Sequence, residues 1–251
     1  MSIPALFPYL LRLGDDRLVL GHRLSEWCGH GPILEEDIAL ANIALDLIGE
    51  ATLLLKLAGE AEGQGRSEDA LAYLRDSGDY RNALLTELPK GDFGFTIVRQ
   101  LFFSAFSLLQ MEALQRSTNA ALAGIAAKAV KEARYHVRHS AQWVITLGDG
   151  TDESHARVQR AANDLWRYTG ELFVADDVDR EVSAAGLGVD PSTLAEAWRS
   201  QIDDVMARAT LTIPPTPYMQ RGGRDGRHTE HLSHMLAEMQ IVARSHPGAS
   251  W

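Results

Sequence analysis

Apolar residues recur along almost the whole chain at intervals of three and four positions, the spacing that places side chains on one face of an α-helix. The strict alternation of apolar and polar residues that marks β-strands is nearly absent. The pattern therefore predicts an all-α protein. We expect helices at 8–29, 35–61, 67–76, 92–117, 121–147, 152–176, 191–210 and 229–245.

Clusters of glycine and proline separate these helices. Gly29-His30-Gly31-Pro32 follows the first of them, and Gly148-Asp149-Gly150 follows the helix at 121–147. Two pairs of long helices, 8–61 and 92–147, are each joined by a short turn, which favours two antiparallel hairpins packed as one bundle. We expect the whole chain, 1–251, to form a single domain.

The segment 211–227 is the least helical part of the sequence, with three prolines followed by three glycines. We expect it to run extended over the protein surface and to lead into a final amphipathic helix. Its three arginines, Arg221, Arg224 and Arg227, are expected to be solvated, although such a cluster can also bind an anion.

Composition narrows the classes of function. The 251 residues include 24 Lys and Arg against 34 Asp and Glu, a formal net charge of −10. Nucleic-acid affinity depends mainly on basic side chains that neutralise phosphates, so no nucleic-acid partner is expected. No apolar run reaches the length of a membrane span without a charge, and Met1 to Tyr9 lacks the features of a secretory signal. We therefore expect a soluble, cytoplasmic protein with no membrane partner.

The sequence gives little support for a disulfide, a thiolate metal site, or a nucleotide-binding or hydrolase motif. Cys28 is the single cysteine, so the chain forms no internal disulfide and supplies no thiolate cluster. Glu26, Cys28 and His30 would make a soft metal site, but packing around a helix end is the commoner role for such residues. The Gly-x-Gly-x-x-Gly, Gly-Lys-Ser/Thr and Gly-x-Ser-x-Gly sequences do not occur.

Three polar residues are predicted to face the bundle interior. Glu132 and His136 project beside the apolar face of the helix at 121–147, and Asp46 lies on the nearly all-apolar helix at 35–61. One interpretation makes these residues metal ligands. The other makes Glu132 and His136 part of a buried Glu-His or Glu-Arg hydrogen-bonded pair that fixes the helix register, and the residues alone leave both open.

The number of candidate ligands argues against a complete di-iron centre, which needs about four carboxylates and two histidines in a bundle core. Gly49 stands three residues after Asp46, where such a centre would need a histidine. The stretch 97–111 has no acidic residue, and Glu112 comes only near the end of its helix. We therefore expect no functional metal, catalytic or cofactor-binding residue in this chain.

Several stretches together resemble one protein family, in order and with similar spacing from about Tyr9 to Trp251. These stretches are Leu11-Arg-Leu-Gly-Asp, Glu26-Trp-Cys-Gly-His-Gly-Pro, Asp37-Ile-Ala-Leu-Ala-Asn-Ile-Ala-Leu-Asp-Leu-Ile-Gly, Lys131-Glu-Ala-Arg-Tyr-His and Gly226-Arg-His-Thr-Glu-His-Leu. The chain resembles the structural PaaC-type subunits of phenylacetyl-CoA 1,2-epoxidase, a ring-oxygenating di-iron monooxygenase complex.

This resemblance implies a ferritin-like fold: a four-helix bundle core with additional helices and a Pro/Gly-rich segment before a C-terminal helix. It implies a structural role beside a homologous catalytic subunit, which holds the di-iron centre and the thioester substrate. Further subunits and a reductase complete the complex, which uses NADPH and O₂ to epoxidise phenylacetyl-CoA in phenylacetate catabolism. The structural subunit of that family carries no cofactor, so Asp46, Glu132 and His136 would be vestigial.

Two other hypotheses stay open from the sequence. The chain would be a competent di-iron oxidase if Glu26 and Glu112 joined the three candidates, and its iron content distinguishes that case. It would otherwise be a helical scaffold or adaptor unrelated to oxygenases. The end-to-end family resemblance disfavours this second hypothesis, and co-purification with a di-iron homologue would test it.

Overall fold

The computed structural model describes residues 3–215 and 218–249, and within these ranges it contains α-helices and 3-10 turns but no β-strand. The all-α prediction is confirmed. The α-helices, in chain order, are α1 (Leu6–Ser25), α2 (Leu34–Glu62), α3 (Glu68–Tyr73), α4 (Leu84–Glu87), α5 (Phe93–Leu114), α6 (Ala120–Gly148), α7 (Asp152–Trp166), α8 (Asp177–Ala184), α9 (Ala195–Arg208) and α10 (Glu230–Ser245).

Two long antiparallel hairpins form the centre of the fold. Helix α1 packs along α2, helix α5 packs along α6, and α2 also contacts α6. This arrangement is the ferritin-like bundle that the sequence resemblance implies. Helices α7 and α9 cover the outer side of α5, where the Trp198 indole N–H donates to the Phe102 carbonyl oxygen at 2.9 Å. Because it is covered on several sides, α5 has buried residues on nearly every face.

Helices α2 and α5 are long and apolar enough, by length and composition alone, to cross a membrane. The central helices of a soluble bundle pass the same test, since they too are surrounded by apolar side chains. In α5, 78% of the apolar window is buried inside the chain, and in α2 the share is 50%. These two helices therefore give no clear sign of a membrane protein.

Some predicted helix boundaries are wrong. The helix expected at 152–176 ends at Trp166, and the chain then passes through the 3-10 turn Gly170–Phe173. A separate helix, α8, begins at Asp177 because Asp176 and Asp179 form a capping box, in which each side chain accepts from the backbone N–H of the other residue. The first helix ends at Ser25 rather than 29, where the chain enters a series of turns.

Part of the segment expected to run over the surface is buried. Positions 216 and 217 lie outside the described residues, but the later glycines pack against α4 and the 3-10 turn after α7. The backbone N–H groups of Gly222 and Gly223 donate to Oε1 of Glu171 at 2.7 and 2.8 Å. A Cβ atom on Gly223 would lie 2.1 Å from the Asn82 carbonyl oxygen, so no side chain fits there. The surface prediction is wrong here because a buried carboxylate replaces water as the hydrogen-bond acceptor.

The sequence predicts Arg224 on the solvated surface, and this prediction is wrong because the residue lies inside the protein. Its guanidinium donates to both carboxylate oxygens of Asp16, at 3.0 and 2.8 Å, and only 17% of its side chain is exposed. Asp16 is fully buried on α1 and also accepts from the backbone N–H of Ala83 at 2.7 Å. The other two arginines of the cluster, Arg221 and Arg227, are exposed as expected.

His228 connects the start of α10 to the α4 region through hydrogen bonds. Its Nδ1 lies 2.7 Å from Oε2 of Glu87, and its Nε2 lies 3.0 Å from the Tyr80 carbonyl oxygen. Burial disfavours the charged imidazolium, but the Glu87 carboxylate and the carbonyl outweigh it and raise the pKa of His228. The other Glu87 oxygen accepts from the backbone N–H of Thr229 at 2.6 Å. One buried carboxylate thus holds both residues that precede the last helix.

We expect Arg224→Met to lower the free energy of unfolding by about 3 kcal/mol, because it leaves the buried Asp16 carboxylate without its cation. Arg227→Met is the matched control, since the Arg227 side chain is 75% exposed and should change stability by less than about 0.5 kcal/mol. Urea unfolding of both variants measures the difference. Equal stability of the two variants would show that the Arg224 ion pair does not hold the segment.

Candidate functional site

The structure brings the three polar candidates together between α2 and α6. Nε2 of His136 lies 3.0 Å from Oδ2 of Asp46, with the His136 side chain 3% exposed and the Asp46 side chain 33% exposed. Glu132 lies one turn before His136 on α6, and its Oε1 is 3.5 Å from Nζ of Lys128. The partner of His136 is thus Asp46 of α2 rather than Glu132 or an arginine, and this contact ties α2 to α6.

Glu132 lies in a negatively charged part of this cluster. Burial raises the pKa of its carboxyl group, and the charges of Asp46 and Glu50 raise it further, while Lys128 acts in the opposite direction. Its Oε2 atom is buried and has no hydrogen-bond partner among the described residues. The two α2 carboxylates, Asp46 and Glu50, therefore disfavour the ionised form of Glu132.

The bundle interior contains the positively charged side chain of Arg17. Arg17 of α1 is fully buried, and its Nε donates to Oε2 of Glu50 on α2 at 2.6 Å. Its terminal nitrogens donate to Ser107 Oγ of α5 and to the Leu13 carbonyl oxygen, both at 3.0 Å. Gln110 Oε1 lies 3.4 Å away. The guanidinium thus joins three of the four bundle helices inside the bundle.

These residues do not fit a di-iron centre. The Arg17 guanidinium already neutralises Glu50 and places a fixed positive charge among the acidic groups, which a metal cation would avoid. Helix α5 offers Ser107 and Gln110 where carboxylates are needed, and Gly49 offers no ligand. Among residues 3–215 and 218–249, no group of three or more His, Cys, Asp or Glu side chains is arranged to hold a metal ion.

The additional acids of the oxidase hypothesis lie apart from this cluster. Glu26 pairs with Arg23 at 2.6 Å, and Glu112 pairs with Arg134 at 2.8 Å, so each already has an arginine partner. Cys28 is exposed, and its carbonyl oxygen rather than its thiol meets Nδ1 of His30, at 3.0 Å. Neither the larger metal site nor the soft one is assembled.

Helix α2 exposes large apolar side chains on the side away from its core face. Ile38 is 53% exposed, Leu45 is 66% exposed and Leu53 is 38% exposed. Tyr135 of α6, which lies beside the rings of His136 and His139, is 37% exposed. Single exposed apolar residues are ordinary, but a row of them on one helix is typical of a surface that another protein covers.

Comparison with known proteins identifies the family. A family model described as phenylacetic acid catabolic protein matches residues 1–251. The chain belongs to this family. It is 50% identical over 243 residues to a curated subunit of the 1,2-phenylacetyl-CoA epoxidase of Escherichia coli (strain K12), a match that covers 97% of this chain and 98% of the relative. The resemblance found in the sequence is confirmed.

We expect Arg17→Met to lower the free energy of unfolding by about 3–5 kcal/mol, because Glu50 becomes a buried charge without a partner. The double variant Arg17→Met, Glu50→Leu should recover most of that loss, because no buried charge remains. Chemical denaturation of both variants and the wild type measures these differences. A loss below about 1 kcal/mol for Arg17→Met would contradict the buried ion pair.

We expect Glu132→Gln to be more stable than the wild type near neutral pH. The folded protein binds a proton on Glu132 at higher pH than the unfolded chain does. Its contribution to stability is therefore favourable at low pH and is lost as the pH rises from the ordinary glutamate pKa through the raised one. Melting temperatures between about pH 4 and pH 8 should converge at the acidic end and separate towards neutrality. Glu153→Gln, on a side chain that is 75% exposed, should show no such trend.

Proposed function

We propose that this chain is the structural, non-catalytic subunit of a 1,2-phenylacetyl-CoA epoxidase in phenylacetate catabolism. The end-to-end match with the Escherichia coli epoxidase subunit supports the assignment to this complex. In this role the chain contributes to an NADPH- and O₂-dependent oxygenase without carrying out the chemistry. Its partners would be a homologous catalytic subunit with the di-iron centre, further subunits and a reductase, in the cytoplasm and without nucleic acid or membrane.

The observation that carries the non-catalytic role is the buried Arg17 guanidinium. A di-iron oxygenase subunit must collect carboxylates and histidines around an open space in its bundle. Here the bundle interior contains a guanidinium that is hydrogen-bonded on three sides, to Glu50, Ser107 and the Leu13 carbonyl oxygen. The bundle therefore gains its internal charge balance from an amino acid, and it keeps its shape without a metal.

A metal-free bundle still serves an oxygenase by supporting the one that holds the metal. Covering a large face of the catalytic subunit excludes water there and limits the movement of its helices. The exposed apolar face of α2 provides such a contact surface, and the Arg17–Glu50 ion pair and the Asp46–His136 hydrogen bond keep the helices behind it in a fixed alignment. The competing oxidase role has no support from the side-chain arrangement, since Glu26 and Glu112 pair with arginines elsewhere.

We expect the purified chain to contain no stoichiometric iron and to be inactive towards phenylacetyl-CoA, because Arg17 places a cation inside the bundle and already pairs with Glu50. Co-expression with the homologous di-iron subunit should give a stable complex whose turnover, with NADPH and the reductase, exceeds that of the di-iron subunit alone. Iron analysis and epoxide formation measure these properties. Stoichiometric iron or turnover in the isolated chain would contradict the proposed role.

A further inference from the structure

The exposed residues of α2 recur at regular intervals along the helix, and packing inside this chain does not account for them. Exposed or half-exposed positions recur there at alternating steps of four and three residues. We call this line the α2 seam; it consists of Ile38, Asn42, Leu45, Gly49, Thr52 and Lys56. Alternating steps of four and three are the spacing with which one helix packs along another. The core side of α2 is separate, with Leu40, Ile43 and Leu47 fully or almost fully buried.

Gly49, in the middle of the α2 seam, is not required by the packing of this chain. A Cβ atom added there would meet no atom within 4 Å. The glycines of α1 differ, because a Cβ on Gly14 or Gly21 would lie 2.8 Å from a side chain of α2. A glycine inside a helix costs about 1 kcal/mol relative to alanine. Its effect at position 49 is to leave a notch in the outer surface of α2.

The notch at Gly49 is acidic. Asp46 lies one turn before Gly49 on the same side of α2, and a third of its side chain is exposed. Only its Oδ2 meets His136; the cluster behind it contains Glu132 and Glu50, and Arg17 is bonded to Glu50. Because Arg17 already pairs with Glu50, the charge that remains accessible at the notch is that of the Asp46 carboxylate. A cationic side chain is the complement to this arrangement.

We propose that the notch at Gly49 receives a lysine or arginine side chain from a helix of the homologous di-iron subunit, which lies along the α2 seam and pairs that cation with Asp46. This proposal rests on the proposed function, because it takes the partner from the epoxidase complex. Ile38 and Leu45 bury apolar area against the incoming helix on the N-terminal side of the notch, and Leu53 does so on the C-terminal side. The cation then sets the register of the two helices.

A second copy of this chain fits the notch less well. Two-fold symmetry would bring the same seam onto itself, so a crossing at Gly49 would place two acidic notches together with no cation between them. The only basic side chain of the seam, Lys56, lies two turns further along α2. Charge complementarity therefore favours a different chain that brings its own cation.

The test compares the binding of three variants to the separately purified homologous di-iron subunit. Gly49→Leu fills the notch and should raise the dissociation constant at least about 100-fold. Asp46→Asn keeps the shape and removes the charge, and it should raise the constant about tenfold and weaken its dependence on salt. Gly124→Leu is the control, because Gly124 is an exposed glycine of α6 whose added Cβ also meets nothing within 4 Å. It should bind within about threefold of the wild type.

The outcomes separate the two proposals. Wild-type protein that forms no complex with the di-iron subunit would overturn the proposed function and the docking proposal with it. A complex that Gly49→Leu and Asp46→Asn leave unchanged would overturn the docking proposal alone. If the isolated wild-type chain is a dimer that Gly49→Leu dissociates, while binding to the di-iron subunit is unaffected, the seam joins two copies and the docking proposal is wrong. Circular dichroism of each variant checks that the helices are intact.

Discussion

The buried ion pair between Arg17 and Glu50 is the constraint around which the bundle is arranged. Removing two charges from water costs several kcal/mol for each ion, and close pairing with further hydrogen bonds is needed to offset that cost. Arg17 therefore requires Glu50 of α2 and Ser107 of α5 at fixed distances from α1. A shift of any of these helices along its neighbour would leave a charge unpaired in the core, so the pair sets the register of three helices at once.

The same principle holds the irregular parts of the chain. Buried carboxylates accept hydrogen bonds from backbone N–H groups that water would otherwise satisfy. Asp15 binds Arg75 and the N–H of Arg81, Asp16 binds Arg224, and Glu171 binds the glycines at 222 and 223. Part of the acidic excess of the chain is therefore internal and structural.

A single helix links this architecture to the proposed role. One side of α2 packs on α1 and supplies Glu50 to the core, and the other side exposes apolar residues and the notch at Gly49. Arg17 neutralises Glu50 inside the bundle, and in the proposed role no metal takes ligands from α2. The exposed side of α2 is then available for contact with another subunit.

The sequence by itself determined the all-α class, the two hairpins and the family. Each of these follows from local periodicity, from short motifs or from the spacing of residues along a helix. Only the tertiary structure decided that Arg17 fills the bundle centre and that Arg224 and His228 are internal, because each depends on partners distant in sequence, such as Glu50, Asp16 and Glu87. An arginine in a helix or in a glycine-rich segment has the same local pattern whether it faces water or a buried carboxylate.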